Sequence, residues 1–159
     1  MAYKKIMVPH DGSSASDRAL ESAASIAKAA GAQVVLLNVI QEVIIPAGAT
    51  DLGYSKRTGE KLTATTLTKE LYQEMKKDAT AMLDQRKQKY LKKVGDLAIE
   101  SRIMIGHPPD KITEFMREQG IDLVVMGTTG LQGIAKIATI GSVARKVSEA
   151  SPCPVILVQ

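Results

Sequence analysis

The sequence predicts an α/β fold, a doubly wound parallel sheet with helices on both faces. Three observations carry this. Five short aliphatic runs alternate strictly with four helical patterns along 159 residues, and such alternation is the mark of βαβ units. The runs are nearly unbroken, as strands covered on both faces are. The apolar content is also aliphatic: 45% of residues are hydrophobic but only 3% aromatic, with no Trp. The length suits one domain spanning 1–159, with room for a proper core.

Lys5-Ile6-Met7-Val8-Pro9 reads as strand 1, closed by proline and followed by the turn and N-cap cluster His10-Asp11-Gly12-Ser13-Ser14. Over 15–30, Ala19, Ala23, Ile26, Ala27 and Ala30 recur at three-to-four spacing and Gly31 supplies the stop, which predicts helix 1, its alanines allowing close approach to a sheet. Val34-Val35-Leu36-Leu37-Asn38-Val39-Ile40 is strand 2. A helix joining two such strands gives a parallel pair with a right-handed crossover.

Residues 41–68 change character, with Pro46, Gly48, Gly53 and Gly59 interrupting any period. This long excursion reads as a variable insertion, or else a lid or partner surface. Regularity resumes at Leu71, Tyr72 and Met75 and runs to Val94 and Gly95 as a long amphipathic helix 2. Residues 97–105 alternate in part, as a strand at or near a sheet edge would. Pro108 and Pro109 open a short helix 3 with Ile112, Phe115 and Met116 on one face and Gly120 at its end. Residues 121–126 form strand 4, 141–150 helix 4 with Val143, Val147 and Ala150 inward, and 155–158 strand 5.

The totals exclude several classes of function. No run approaches the roughly 20 apolar residues of a membrane span, and the first residues lead straight into a strand, so the expectation is a cytoplasmic protein. One cysteine, Cys153, allows no internal disulfide, and two histidines without nearby cysteines argue against a zinc site. The net charge of +4 is uneven: residues 56–93 hold 11 Lys/Arg against 5 Asp/Glu, a net of +6, leaving −2 elsewhere. Acids are interleaved there and aromatics for base stacking are nearly absent, so that face reads as solvated and nucleic acid is not the expected partner.

The residues that carry chemistry lie at strand ends, where open α/β sheets bind ligands. Strand 1 offers Pro9 and Asp11, strand 2 offers Val39, and strand 4 offers Met126, Gly127 and Gly130, with Gly141, Ser142 and Val143 heading helix 4. Glycines let the backbone approach phosphate oxygens, Ser142 carries a hydroxyl, and the start of helix 4 carries partial positive charge. Asp11 is a candidate for ribose hydroxyls or Mg²⁺, or alternatively a cap for helix 1 or for the preceding turn, and the Val39 backbone suits a base edge. His10 and His107 read as loop histidines, and Cys153 as a structural thiol. No Ser-His-Asp set, carboxylate pair or P-loop lysine is present, so dedicated catalysis is not indicated.

Four passages resemble the universal stress protein family: Ile6-Met7-Val8-Pro9-His10-Asp11-Gly12-Ser13; Leu37-Asn38-Val39; Asp122-Leu123-Val124-Val125-Met126-Gly127-Thr128-Thr129-Gly130 with Gly141-Ser142-Val143-Ala144; and Ser151-Pro152-Cys153-Pro154-Val155-Ile156-Leu157-Val158. The resemblance implies a Rossmann-like sheet of order 3-2-1-4-5 and a homodimer paired through strand 5. It also implies that one branch of the family binds ATP, through glycine, two residues, glycine, nine residues, glycine and Ser or Thr; the cofactor expected here is ATP (or ADP or AMP) with Mg²⁺. This sequence departs by one residue, since 131–140 is ten residues long, and the extra residue either bulges or displaces Gly141-Ser142. Asn38 stands where the family often has His. The function implied is a nucleotide-dependent stress regulator; the alternatives are a dimeric interaction module without nucleotide and a slow ATPase or switch with Asp11 holding the metal.

Overall fold

The computed structural model describes residues 3–49, 51–129 and 140–159. In chain order the elements are β1 (Lys5–Pro9), α1 (Ser14–Ala30), β2 (Gln33–Ile40), α2 (Ala64–Val94), β3 (Ile99–Ile105), α3 (Pro108–Gln119), β4 (Leu123–Gly127), α4 (Ser142–Ala150) and β5 (Val155–Val158). The five strands form one sheet of order β3-β2-β1-β4-β5, and all neighbours run parallel. The expected order is therefore the observed one, and β3 does lie at an edge.

The unbroken aliphatic runs are explained by two cores, one on each face of the sheet. Side chains alternate across a strand, so Ile6 and Val8, Val34 and Leu36, Leu123 and Val125 pack with Ala19, Leu20, Ala23 and Ala27 of α1 and Leu83 and Tyr90 of α2. Met7, Val35, Leu37, Val124 and Met126 point the other way, onto Ile112, Phe115 and Met116 of α3 and Ala144 and Val147 of α4. The central positions of these strands are thus needed by one core or the other.

Helix ends follow their local chemistry. Ser13 caps α1, its side chain accepting from Ser16 N–H, and Gly31 ends the helix in the left-handed region at φ 66°. Gly120 does the same for α3 at φ 60°. Helix α2 starts at Ala64, earlier than the apolar period alone suggests, because Thr63 and Thr66 form a reciprocal capping box. The end of the 41–68 excursion is therefore helical. Part of the rest is tied down: Ser55 N–H donates to Glu60 C=O, the Ser55 hydroxyl donates to Glu70, and Val43 N–H donates to Tyr72 Oη. The basic lysines of α2 at 76, 77, 89, 92 and 93 are exposed, as a solvated face requires.

Candidate functional site

The topology opens a crevice beside β1. β1 pairs with β2 as far as Pro9, opposite Leu37, but with β4 only as far as Met7, opposite Val124. Crossovers from β1 and β4 leave in opposite directions, so the chain parts at the strand ends. His10 N–H donates to Leu37 C=O and Gly106 N–H donates to Ile40 C=O. Successive residues of a strand direct their backbone groups to opposite edges, so Leu37 and Val39 face β1 while Ile40 faces β3. Val39 therefore presents its N–H and C=O beyond the point where β1 has ended, as a base-edge contact needs.

The turn after β1 is built by side chains. Gly12 takes φ +88°, a region that side-chain-bearing residues rarely adopt. Asp11 Oδ1 accepts from Ser13 N–H at 3.0 Å, so Asp11 braces the turn and Ser13, not Asp11, caps α1. His10 does lie in the loop after β1, but it is no bystander there: it is 2% exposed and both ring nitrogens are engaged. Its Nδ1 accepts from Gly12 N–H at 3.2 Å and its Nε2 lies 3.1 Å from Asp17 Oδ1. Asp17 Oδ1 is also 2.7 Å from Arg86 Nε. Burial holds the imidazole pKa below its ordinary value, against the pull of Asp17 and with the help of Arg86. Asn38 Nδ2 donates to His10 C=O at 2.8 Å, so this side chain ties β2 to the same turn. His107, by contrast, is exposed beside Asp110 at the start of α3.

The turn after β4 is built by the absence of side chains. A Cβ on Gly127 would lie 2.8 Å from Ala15 Cβ and 2.9 Å from the Ala15 carbonyl carbon. Here glycine is required by the first turn of α1, whatever else approaches it. Gly141 caps α4 at φ −59°, and its N–H donates to Thr128 C=O at 2.6 Å. A Cβ there would meet that oxygen at 2.9 Å. Despite the ten-residue spacing, Gly141 returns to the end of β4. Gly130 and residues 131–139 lie outside the described residues. Among the described residues no side chain caps α4, and the first-turn amides of such a helix form an anion-facing end.

Pro9, Asp11, Val39, Met126, Gly127, Gly141, Ser142 and Val143 all line one cleft of about 520 Å³, a size usual for small-molecule sites. Sequence reasoning missed His10, Asn38, Ser13, Ser16, Thr128 and Thr129, which line it as well. Among the described residues the lining holds one carboxylate, Asp11, and no Lys or Arg. Charge complementarity for an anion there rests on amides, hydroxyls and the start of α4. No group of three or more His, Cys, Asp or Glu among the described residues is arranged to hold a metal. Cys153 is half-buried, and burial pushes its thiol pKa up, away from thiolate chemistry.

The model of the universal stress protein family matches residues 2–159. The chain belongs to the universal stress protein family. It is 31% identical over 157 residues to universal stress protein YxiE of Bacillus subtilis, covering 99% of both chains. Among solved structures it resembles the universal stress protein UspA from Lactobacillus plantarum with a TM-score of 0.82 and 25% identity, covering 100% and 99% of the two chains. A universal stress protein crystallised in complex with cAMP is 28% identical, with a TM-score of 0.63 and coverage of 100% and 98%. The α/β fold of these universal stress proteins is the one described above. No helix among the described residues is long and apolar enough to cross a membrane.

Proposed function

We propose that this universal stress protein binds an adenine nucleotide, ATP with Mg²⁺ in its working state, and acts as a nucleotide-dependent regulator in the cytoplasm. The observation that carries the reading is convergence: residues from the ends of β1, β2 and β4 and from the start of α4, up to 134 positions apart between Pro9 and Val143, line one cleft. The similar protein that holds cAMP adds support for an adenine nucleotide.

In this reading the Val39 backbone meets the base edge, Asp11 lies toward the ribose, and Gly127, Gly130, Gly141, Ser142 and Val143 receive the phosphates. Pro9 and Met126 form the apolar walls between them. With no cationic side chain in the described lining, a triphosphate needs a counter-ion. Mg²⁺ suits this site, because it is commonly held by one or two carboxylates plus phosphate oxygens, and Asp11 is the carboxylate in the described lining. The metal would neutralise phosphate charge and fix the phosphate conformation. The two groups of the described lining that could act as a base are otherwise engaged, Asp11 toward the metal in this reading and His10 by Gly12 and Asp17, which places binding ahead of hydrolysis.

A homodimer is the second part of the proposal. β5 is an edge strand with Ile156 exposed, and an apolar edge is left open unless a second copy covers it. Size-exclusion chromatography with light scattering tests this, and a monomer would refute it.

The nucleotide reading is tested on the purified full chain by mass spectrometry of released ligand, then by calorimetry with ATP, ADP, AMP and cAMP, with and without Mg²⁺. Saturable binding of an adenine nucleotide, tightest for ATP with Mg²⁺, is expected. No heat from any of them at millimolar concentration would leave the interaction-module reading.

A further inference from the structure

We propose that His10 is the positioning residue of the cleft: its imidazole Nδ1 holds the Gly12 amide and so fixes the turn that carries Asp11, while Asp17 on the other side orients the ring. This rests on the nucleotide reading given above. His10 is tied through its backbone and its side chain alike. Its N–H and C=O are engaged by Leu37 and Asn38 of β2, and both ring nitrogens are engaged within the turn and α1.

The tautomer follows from the donors. An amide N–H can only donate, so the Nδ1 that receives Gly12 carries no proton. Ser16 Oγ lies 3.3 Å from the same nitrogen, but the hydroxyl has one proton, and its shorter bond, 2.8 Å, goes to Ser13 C=O. The ring proton therefore sits on Nε2 and is donated to Asp17. Asp17 is fixed in turn from α2: Arg86 Nε donates to its carboxylate and Tyr90 Oη donates to its backbone C=O at 3.0 Å. A continuous chain runs from α2 through Asp17 and His10 to the left-handed Gly12. A histidine that merely filled space would not need its two nitrogens assigned in this way.

The two nitrogens can be separated by substitution. H10N places an amide oxygen near Nδ1 but cannot reach Asp17; H10Q reaches toward Asp17 but offers no acceptor to Gly12; H10A does neither. With ATP and Mg²⁺ in calorimetry, H10A and H10Q should weaken binding about tenfold, the scale of one lost buried hydrogen bond, while H10N stays within about threefold of wild type. Independently of any variant's folding, long-range ¹H–¹⁵N NMR of the wild-type protein without nucleotide should show His10 Nδ1 bare and Nε2 protonated, with slow exchange of the Gly12 amide. A protonated Nδ1, a fast-exchanging Gly12, or wild-type affinity in H10A overturns the proposal. Equal loss in H10N and H10Q overturns it too. If the wild type binds no ATP while Nδ1 is bare and Gly12 protected, the nucleotide reading falls and takes the positioning role with it, leaving only the architecture of the turn.

Discussion

The two rims of the cleft are made by opposite means. The rim after β1 is specified by side chains that bond back to the backbone: His10 to Gly12, Asp11 to Ser13, Asn38 to His10. The rim after β4 is specified by side chains that are missing, at Gly127 under Ala15 and at Gly141 under Thr128. The rims meet through Ala15, which occupies the space that Gly127 leaves. The lesson is that one rim should respond to lost hydrogen bonds and to pH, the other to added volume.

The largest effect should come from Gly127→Val. Its β-branched side chain would collide with backbone as well as with Ala15 Cβ, and overpacking of this kind costs about 1–3 kcal/mol, lowering Tm by roughly 5 °C in a chain of this size. Thermal denaturation monitored by circular dichroism checks it. An unchanged Tm would break the comparison, since the rim after β4 would then tolerate volume.

Gly141→Ala should act more on binding than on stability. The new methyl would press against Thr128 C=O and lift the start of α4 from β4, raising the Kd for ATP by about tenfold, on the scale of one weakened contact. Calorimetry measures it, and full affinity would show that α4 approaches the ligand in some other way.

The rim after β1 should instead show its construction through pH. Burial, aided by Arg86, keeps folded His10 neutral below its ordinary pKa of 6.5, with Asp17 and Asp11 opposing. The unfolded chain takes up a proton near pH 6.5 while the folded chain does not, so stability is fully present above that pH. It is lost as pH falls through the window down to the folded pKa. Urea denaturation at pH 7.5, 6.5 and 5.5 should show wild type losing stability relative to H10N as pH drops. Parallel curves would contradict the burial of a neutral imidazole.

The smallest effect should be at Val39→Ala. Only its backbone is expected to meet the base, so the Kd for ATP should change less than about threefold, whereas a tenfold loss would assign the contact to the side chain.

Much of this was legible in the sequence, and the exceptions have physical causes. Strands such as Val34-Val35-Leu36-Leu37 were plain because both faces are buried, which leaves no polar position to blur the run. The strand ends pointed to Asp11 and Val39, and the head of α4 to Gly141, because a cleft at the strand ends is a property of the topology itself. The loop position of His10 was legible but its engagement was not, because its partners are remote: Asp17 is seven positions away and Arg86 is 69 beyond Asp17. The available signal was a histidine directly before a turn and a helix bearing an acid in its first turn. The start of α2 was missed because Thr63-Ala64-Thr65-Thr66 caps with a threonine where Glu or Gln is the usual signature. The glycines were found for one reason and are needed for another, since contacts with Ala15 and Thr128 exist only once the chain has folded.

The most direct measurement is an ATP titration of the ¹⁵N-labelled full chain with Mg²⁺, following amides on both rims by NMR. Gly12, Val39, Gly127 and Ser142 should shift together and saturate with a single Kd. Shifts confined to the exposed lysines of α2, or none at millimolar ATP, would contradict the account.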